Sequence, residues 1–247
     1  GLTSVITGDL LQGIFSSYSF INWWDSNELN ISGTTTTYLD RGNEHDLPNP
    51  SATNQATYSA SDAGFNGRPS LDYDGTTDYN YKSFNDFRGS DNSGVIHVTF
   101  KTPASFGVTQ TIFAASDEAT NAEKIMIYVD SAGDFTCLLN TAGGGNTRIR
   151  GIALSVNTEY TAYVGSTGAA FIMGINGATS GFSVDLGFND GTWLNDATTL
   201  SNISIGGRIN SSNNLYGSKI VQVGYEPYTS QAISNAANLE IKNVYGI

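Results

Sequence analysis

The 247-residue chain has one cysteine, two histidines and only eleven lysines and arginines. Because Cys137 has no partner for an intrachain disulfide, packing must hold the fold together, and we expect its thiol to be a small buried apolar group. With only His45 and His97 available, a zinc site or a Ser-His-Asp triad has little to draw on. No apolar run approaches the roughly 18–20 residues of a membrane-spanning helix.

Basic charge is scarce relative to acidic charge. The eleven basic residues are outnumbered by 23 acidic ones, so the formal net charge is −12. Such a surface repels phosphate backbones and anionic lipid, and we expect neither nucleic acid nor a membrane as a partner. Solubility accounts for the acidic charge, with cation binding as the alternative. No basic residue precedes Arg41, so an intact signal peptide is not expected, and secretion after processing is left as an alternative.

Short strands separated by turn residues dominate the chain after about residue 94. Apolar residues alternate with more polar ones, for example at Ile96, Val98 and Phe100, as in half-buried strands. The separators are Gly, Asn, Asp and Ser, and no amphipathic helix lies between the strands. The predicted strands cover residues 95–100, 109–115, 124–129, 135–140, 147–152, 160–165, 169–175, 182–186, 203–207 and 219–225. This pattern predicts an all-β fold with two antiparallel sheets packed as a sandwich.

The C-terminal segment follows a different period. Ile233, Ala237 and Ile241 are spaced as on one face of a helix, and Thr229 or Ser230 can cap its first turn. We therefore predict one short C-terminal helix.

The first 90 residues are more polar, and prolines interrupt any long strand. We expect long loops and a few strands there, without a linker that would mark a separate domain. The predicted organisation is an N-terminal arm or docking segment over residues 1–20, followed by a single domain over residues 21–247.

Three motifs, in this order along the chain, carry a family resemblance. The first pairs NWWDSN at residues 22–27 with LDRGNEHD at residues 39–46. The second is NGRPSLDYDGTTDY at residues 66–79. The third joins ISIGGR at 203–208 and LYGSKI at 215–220 to the terminal LEIKNVYGI at 239–247. Together they resemble the concanavalin A-like lectin/glucanase superfamily, specifically the laminin G-like jelly rolls of phage structural proteins and bacterial surface proteins.

The resemblance implies a jelly-roll sandwich that closes with a short helix. The motifs also have a structural explanation that needs no ligand. Asp74 can accept backbone hydrogen bonds in a turn where Gly75 is left-handed, and the turn at Gly42 can be built in the same way. Trp23 and Trp24 must point to opposite faces of an extended segment, so we expect one in the core and the other partly exposed.

The same superfamily includes glucanases, so hydrolysis needs a separate test. Retaining glycosidases use two carboxylates about 5 Å apart, which the glucanase branch supplies from a Glu-x-Asp-x-Glu strand. That pattern is absent, and no two of the seven glutamates lie within four residues of each other. We predict a protein that is not an enzyme. A carboxylate pair that converges from distant strands would instead make it a cryptic glycan hydrolase.

Calcium is the candidate cofactor, because laminin G-like relatives often hold this ion at the rim of the sandwich. Hard cations prefer oxygen ligands, and Asp117, Glu118 and Asn121 cluster in one predicted loop. The alternative is that these are ordinary solvated loop residues, since no EF-hand spacing is present.

Sugar binding combines an exposed aromatic plane with Asn or Asp hydrogen-bonding groups. Asn189, Asp190 and Trp193 fit that description on one predicted loop, although Trp193 can instead cap a hydrophobic edge. The further candidate ligand-binding residues are Asp78, Tyr79 and Asn210.

These expectations define a non-enzymatic surface or structural module. The main hypothesis is a phage virion protein (capsid decoration, head or tail fibre) that acts in adhesion or assembly and recognises glycans. Its expected partners are other virion or surface proteins, further copies of itself and cell-surface glycans, at the virion surface or outside the cell. The alternatives are the carbohydrate-binding domain of a secreted bacterial protein and the cryptic glycan hydrolase.

Overall fold

Two antiparallel β-sheets and a C-terminal helix form the body of the protein, as a computed structural model shows. The model describes residues 12–42, 45–83, 87–120, 122–208 and 214–247. The predicted all-β sandwich with a terminal helix is therefore confirmed.

The larger sheet has ten strands within the described residues. They are β1 (Asn22–Ser32), β2 (Thr35–Asp40), β3 (Leu47–Pro48), β4 (Thr57–Asp62), β5 (Arg68–Asp72), β7 (Gly94–Lys101), β12 (Glu159–Ser166), β13 (Phe171–Ile175), β14 (Ala178–Thr179) and β17 (Lys219–Glu226). Their order is β14-β13-β12-β7-β17-β1-β2-β3, and β5 joins both β17 and β4 at one side.

Seven strands form the second sheet in the same part of the chain. They are β6 (Asn80–Ser83), β8 (Gln110–Ser116), β9 (Lys124–Val129), β10 (Asp134–Asn140), β11 (Asn146–Ala153), β15 (Ser183–Leu186) and β16 (Asn202–Ile205), in the order β15-β11-β10-β9-β8-β16-β6. Three short 3-10 helices lie at Ala52–Asn54, Ala63–Phe65 and Leu194–Asp196.

The main core lies between the sheets and follows from the two-residue period of the strands. In β9, Ile125, Ile127 and Val129 are fully or almost fully buried in this core. Cys137 of β10 lies in the same core with 1% of its surface exposed, and burial raises the pKa of its thiol to about 12. The expectation of a small buried apolar group is confirmed, because this thiol stays protonated at neutral pH.

A second cluster packs on the outer face of the ten-stranded sheet. It includes Trp23, Ile241 and Tyr245, which are fully buried, and Ile14 and Phe20 from the N-terminal segment. Residues 12–17 are helical and pack here against their own domain. Residues 1–11 of the predicted arm lie outside the described residues.

The two adjacent tryptophans point to opposite faces, as their spacing requires. Trp24 lies between the sheets and Trp23 lies in the outer cluster, and both are 0% exposed. The expectation that one would be partly exposed is wrong, because the C-terminal helix covers the outer face of the sheet.

The C-terminal helix spans Gln231–Tyr245. The Ser230 hydroxyl caps it by accepting a hydrogen bond from Ile233 N at 3.2 Å, and Gly246 ends it in a left-handed conformation with φ of 70°. The predicted helix and one of its two predicted caps are therefore confirmed. Among the described residues, no helix has the length and apolar character needed to cross a bilayer.

The first 90 residues contain more regular structure than expected. They supply six strands, of which β1 is eleven residues long and pairs with both β17 and β2. The polar composition suggested loops because the last three residues of β1 and the first residue of β2, where the hairpin turns, are exposed.

The strand register defines two ends of the sandwich. At one end, which we call the upper end, β7 begins and β12 ends, since Gly94 pairs with Ser166. The segment 193–196 joins the two sheets there, because Asn195 N donates to Asp91 O before β7 and Ala142 N, after β10, donates to Asp196 O. The lower end is the opposite one, where β8 begins.

Candidate functional site

A groove with a volume of about 380 Å³ opens at the upper end of the sandwich. Five of its seven lining residues have hydrogen-bonding side chains, and none of the seven is basic or aromatic. The lining residues are Asn92, Gly168, Asp190, Gly191, Thr192, Asn195 and Asp196. This composition suits a polar ligand that can both donate and accept hydrogen bonds.

Local hydrogen bonds shape the loop that forms one wall. The carboxylate of Asp190 accepts from Thr192 N at 3.1 Å and from Thr192 Oγ1 at 2.6 Å. Asn189 Oδ1 accepts from Phe171 N at 2.7 Å and so ties the loop to β13. Because both bonds use Oδ1 and the side chain is exposed, Oδ2 of Asp190 can accept a hydrogen bond from a ligand.

Gly191 is required at the bend of this loop. Its φ is +75°, and a Cβ there would collide with the backbone nitrogen atoms of Ala169 and Ala170. Its carbonyl accepts from the hydroxyl of Ser166, so the bend is fixed to the end of β12. The bend at Gly191 is thus held by close contact between its backbone and the chain at Ser166, Ala169 and Ala170.

The 3-10 helix Leu194–Asp196 forms the other wall. Asp196 Oδ2 accepts from Trp193 N at 3.0 Å and closes the first turn. Both Asn195 and Asp196 keep exposed side chains while their backbone atoms bind the loops at Asp91 and Ala142. Backbone bonds and one oxygen of the Asp196 carboxylate hold this wall, which leaves the Asn195 side chain and the second oxygen of Asp196 available to a ligand.

The two aromatic residues of this loop have opposite environments. Trp193 is 1% exposed and lies in the main core, so its ring offers no face to a sugar. Phe188 is 78% exposed and lies two residues before Asp190. The expected stacking role of Trp193 is therefore corrected: the alternative, a ring that seals a hydrophobic edge, is what the structure shows. Phe188 takes its place as the exposed aromatic ring of the loop.

The groove is acidic. Hydrogen bonds from the Thr192 side chain lower the pKa of Asp190, so its carboxylate is ionised at neutral pH. Arg88 lies near the same end, but its guanidinium donates to Asn22 Oδ1 at 2.9 Å and lies 5.7 Å from the centre of the Tyr225 ring. Its charge is thus directed towards the start of β1.

Asp78 and Tyr79 lie at the lower end, far along the strands from the groove. Asp78 is 7% exposed, and its Oδ2 accepts from Asp74 N at 3.1 Å while Asp78 N donates to Asp74 Oδ1 at 3.1 Å. Burial raises the pKa of Asp78. This reciprocal pair closes the loop, so Asp78 has a structural task. The third residue predicted with them, Asn210, lies outside the described residues.

The predicted calcium residues lie at the upper end, after β8. The Asp117 carboxylate accepts from Ala119 N at 2.9 Å and from the Thr120 hydroxyl, which lowers its pKa. The Glu118 carboxylate accepts from Ser83 Oγ at 2.6 Å and from the Tyr81 hydroxyl of β6. The two carboxylates therefore face different partners, and Asn121 lies outside the described residues.

Within the part of the chain that the structure describes, no group of three His, Cys, Asp or Glu residues is placed to hold a metal ion. Calcium at the Asp117 loop stays a prediction.

Two basic side chains, Arg208 and Lys124, lie outside the lining of the groove. Arg208 follows β16, is half-buried, and has a buried Nε without a hydrogen-bond partner. Burial lowers the pKa of Lys124, and the positive charge of Arg208 lowers it further, so the two cations lie near each other. This cationic pair differs in sign from the two aspartates of the groove.

The first motif of the resemblance has a structural role. Asp40 accepts from Trp23 N at 2.9 Å, Gly42 N at 3.0 Å, His45 N at 3.1 Å and Asn22 Nδ2 at 2.7 Å. Four donors on one buried carboxylate use its acceptor capacity, so this motif fixes the start of β1 against the end of β2.

Sequence reasoning found the groove only in part. Of the lining residues it identified Asp190 but missed Asn92, Asn195 and Asp196. Asn189 does not line the groove and ties the loop to β13 instead. The second Asn-Asp pair at 195–196 was a usable signal, because it repeats the first pair at 189–190 within one loop. Asn92 gave no signal of its own, since only the fold brings it to the groove.

Comparisons with known proteins support the fold. No family model matches the chain, and no curated protein matches it. The chain is similar to the CBM40 of the Ruminococcus gnavus IT-sialidase bound to α2,3-sialyllactose, with 14% identity, a TM-score of 0.52, and coverage of 68% of this chain and 95% of that one. It is also similar to the Trypanosoma rangeli sialidase in complex with 2,3-difluorosialic acid, with 11% identity, a TM-score of 0.61, and coverage of 91% of this chain and 33% of that one. At these identities the likeness concerns the fold alone.

Proposed function

We propose that this chain is a carbohydrate-binding module and that its sugar lies in the upper-end groove. The observation that carries the proposal is the groove itself, where Asn92, Asp190, Thr192 and Asn195 offer hydrogen-bonding groups. Phe188, two residues before Asp190 on the loop that forms one wall, carries a ring that is 78% exposed. A sugar ring presents hydroxyls around its edge and an apolar face, so it needs polar partners together with an aromatic surface.

The similar CBM40 supports this proposal, because it is solved with a sialylated sugar and 95% of it is covered by this chain. The setting that fits such a module is a secreted or surface protein. This was the alternative from sequence, and it is better supported than the virion role, since neither structure compared above is a virion protein. The laminin G-like assignment and self-association stay expectations.

The hydrolase alternative requires a carboxyl group that can act as an acid in the same groove. Asp190 and Asp196 both line it, and a glycosidase needs one carboxyl group with a raised pKa to protonate the leaving group. The pKa of Asp190 is lowered instead, by Thr192. Asp190 therefore does not suit the role of the acid. We propose binding without hydrolysis, and reducing-sugar release from any bound glycan checks this directly.

The test of the function is a glycan array followed by titration calorimetry on the best ligand. Asn195→Ala removes an exposed groove side chain while its backbone bond to Asp91 O remains, so we expect binding to weaken about tenfold with an unchanged melting temperature. Phe188→Ala should weaken binding to a similar extent through loss of stacking.

Matched controls exist for both variants. Asn243 is an exposed asparagine on the C-terminal helix, and Val108 is a 59% exposed apolar residue at the lower end. Asn243→Ala and Val108→Ala should leave binding unchanged. If all four variants and the wild type bind the glycan with equal affinity, the groove is not the sugar-binding site.

A further inference from the structure

The hydrogen-bonding groups of the groove are unbalanced in favour of acceptors. Asp190 and Asp196 carry acceptors only, and Asn92, Thr192 and Asn195 carry both donors and acceptors. None of the lining residues is a lysine or an arginine. A ligand that fits this groove must therefore supply hydrogen-bond donors and must carry no negative charge of its own near the two aspartates.

Neutral and sialylated sugars differ in this respect. Neighbouring hydroxyls of a neutral sugar can both donate to one carboxylate, which is the strong, charge-assisted type of hydrogen bond. The carboxylate of a sialic acid is an acceptor with a negative charge, so beside Asp190 it meets repulsion, and no cation among the lining residues compensates it. The chain as a whole, with a net charge of −12, adds to that repulsion.

We infer that the upper-end groove selects neutral glycans and discriminates against sialylated ones, an inference that rests on the proposed function. The R. gnavus CBM40, which has the same fold, is solved with sialyllactose. A shared sandwich therefore does not imply a shared ligand, because the ligand is recognised by loop residues rather than by the strands.

The cationic pair of Arg208 and Lys124 is the competing place for an acidic sugar. Neither residue is among those that line the groove. The two sites can be separated by variants, since Arg208→Met removes the guanidinium of one and leaves the carboxylates of the other.

The experiment compares matched pairs of glycans, each a neutral sugar and its sialylated form, first on an array and then by calorimetry. Wild type, Asp190→Asn/Asp196→Asn and Arg208→Met are measured in EDTA, because a divalent cation would neutralise the aspartates. The asparagine side chains keep an acceptor oxygen for Thr192 and Trp193 N, and an unchanged melting temperature confirms that the double variant folds. We expect the wild type to bind the neutral member at least tenfold more tightly, and the double variant to reduce that ratio below about threefold.

The possible results separate the inference from the function. Tighter binding of the sialylated member, lost in Asn195→Ala, overturns the inference while the groove remains the glycan site. Sialylated binding that is lost in Arg208→Met and kept in Asn195→Ala overturns both. A ratio that the double variant leaves unchanged also overturns the inference, because charge would not be its cause. Absence of binding to every glycan overturns the proposed function and the inference with it.

Discussion

Asp40, at the end of β2, and Asp190, in a loop, both lie close to a glycine, yet they have opposite environments. Asp40 is 2% exposed and accepts from four donors of its own chain. Asp190 is exposed and accepts from Thr192 alone. Similar sequence surroundings thus give a closed structural loop in one case and an open groove in the other. The number of donors already on the carboxylate distinguishes a motif that builds the fold from a residue available to a ligand.

The largest expected effect on stability compares a buried and an exposed aromatic residue of the same loop. Trp193→Ala leaves a cavity at a fully buried site, and we expect the free energy of unfolding to fall by about 3–5 kcal/mol. Phe188→Ala, at 78% exposure, should change the free energy of unfolding by less than about 0.5 kcal/mol. Urea unfolding of both variants measures the difference. Similar losses in the two would contradict the assignment of one ring to the core and the other to the surface.

The second test compares the two aspartates themselves. Asp40→Ala leaves backbone N–H groups of Trp23, Gly42 and His45 without their acceptor, so we expect a loss of roughly 3 kcal/mol. Asp190→Ala removes hydrogen bonds from Thr192 alone and should cost less than about 1 kcal/mol. Chemical unfolding checks both. A costly Asp190→Ala would place that residue among the structural aspartates.

Acid should destabilise the loop that Asp74 and Asp78 close. Burial opposes ionisation of Asp74, but hydrogen bonds from the Thr76 side chain and from the backbone of Thr77, Thr76 and Asp78 outweigh it and lower its pKa. A lowered pKa means that the stabilisation is present above about pH 4, the ordinary range of aspartate, and is lost as the pH falls below it.

The Asp74→Asn variant measures this contribution. Its melting temperature should lie a few degrees below that of the wild type at pH 7, and the gap should narrow at pH 3. A gap that is equal at both pH values would show that the charge of Asp74 is not what holds the turn.

Calcium removal is the test with the smallest expected effect. An ion at the Asp117 loop would have to replace the protein donors now bonded to Asp117 and Glu118. If calcium binds there, EDTA lowers the melting temperature by a few degrees, and Asp117→Asn abolishes that shift. An unchanged melting temperature at matched ionic strength removes calcium from this loop.

The fold was more predictable than the groove, and the reason is the range of the interactions. Strands such as β9 and the cap at Ser230 depend on residues two or three positions apart, so their period and spacing are visible in the chain. The burial of Trp193 depends on how Gly191 turns the loop back onto Ala169, which no local pattern specifies. Asn92 reaches the groove only because β7 and β12 pair at that end.

The most direct test of the central claim is a titration of the best neutral glycan into nitrogen-15-labelled protein, followed by amide chemical shifts. The claim that the sugar lies in the upper-end groove predicts shifts at Asn92, Gly168 and residues 190–196, with Arg208 and the strands of the seven-stranded sheet unaffected. Shifts confined to Lys124, Arg208 and their neighbours would contradict it.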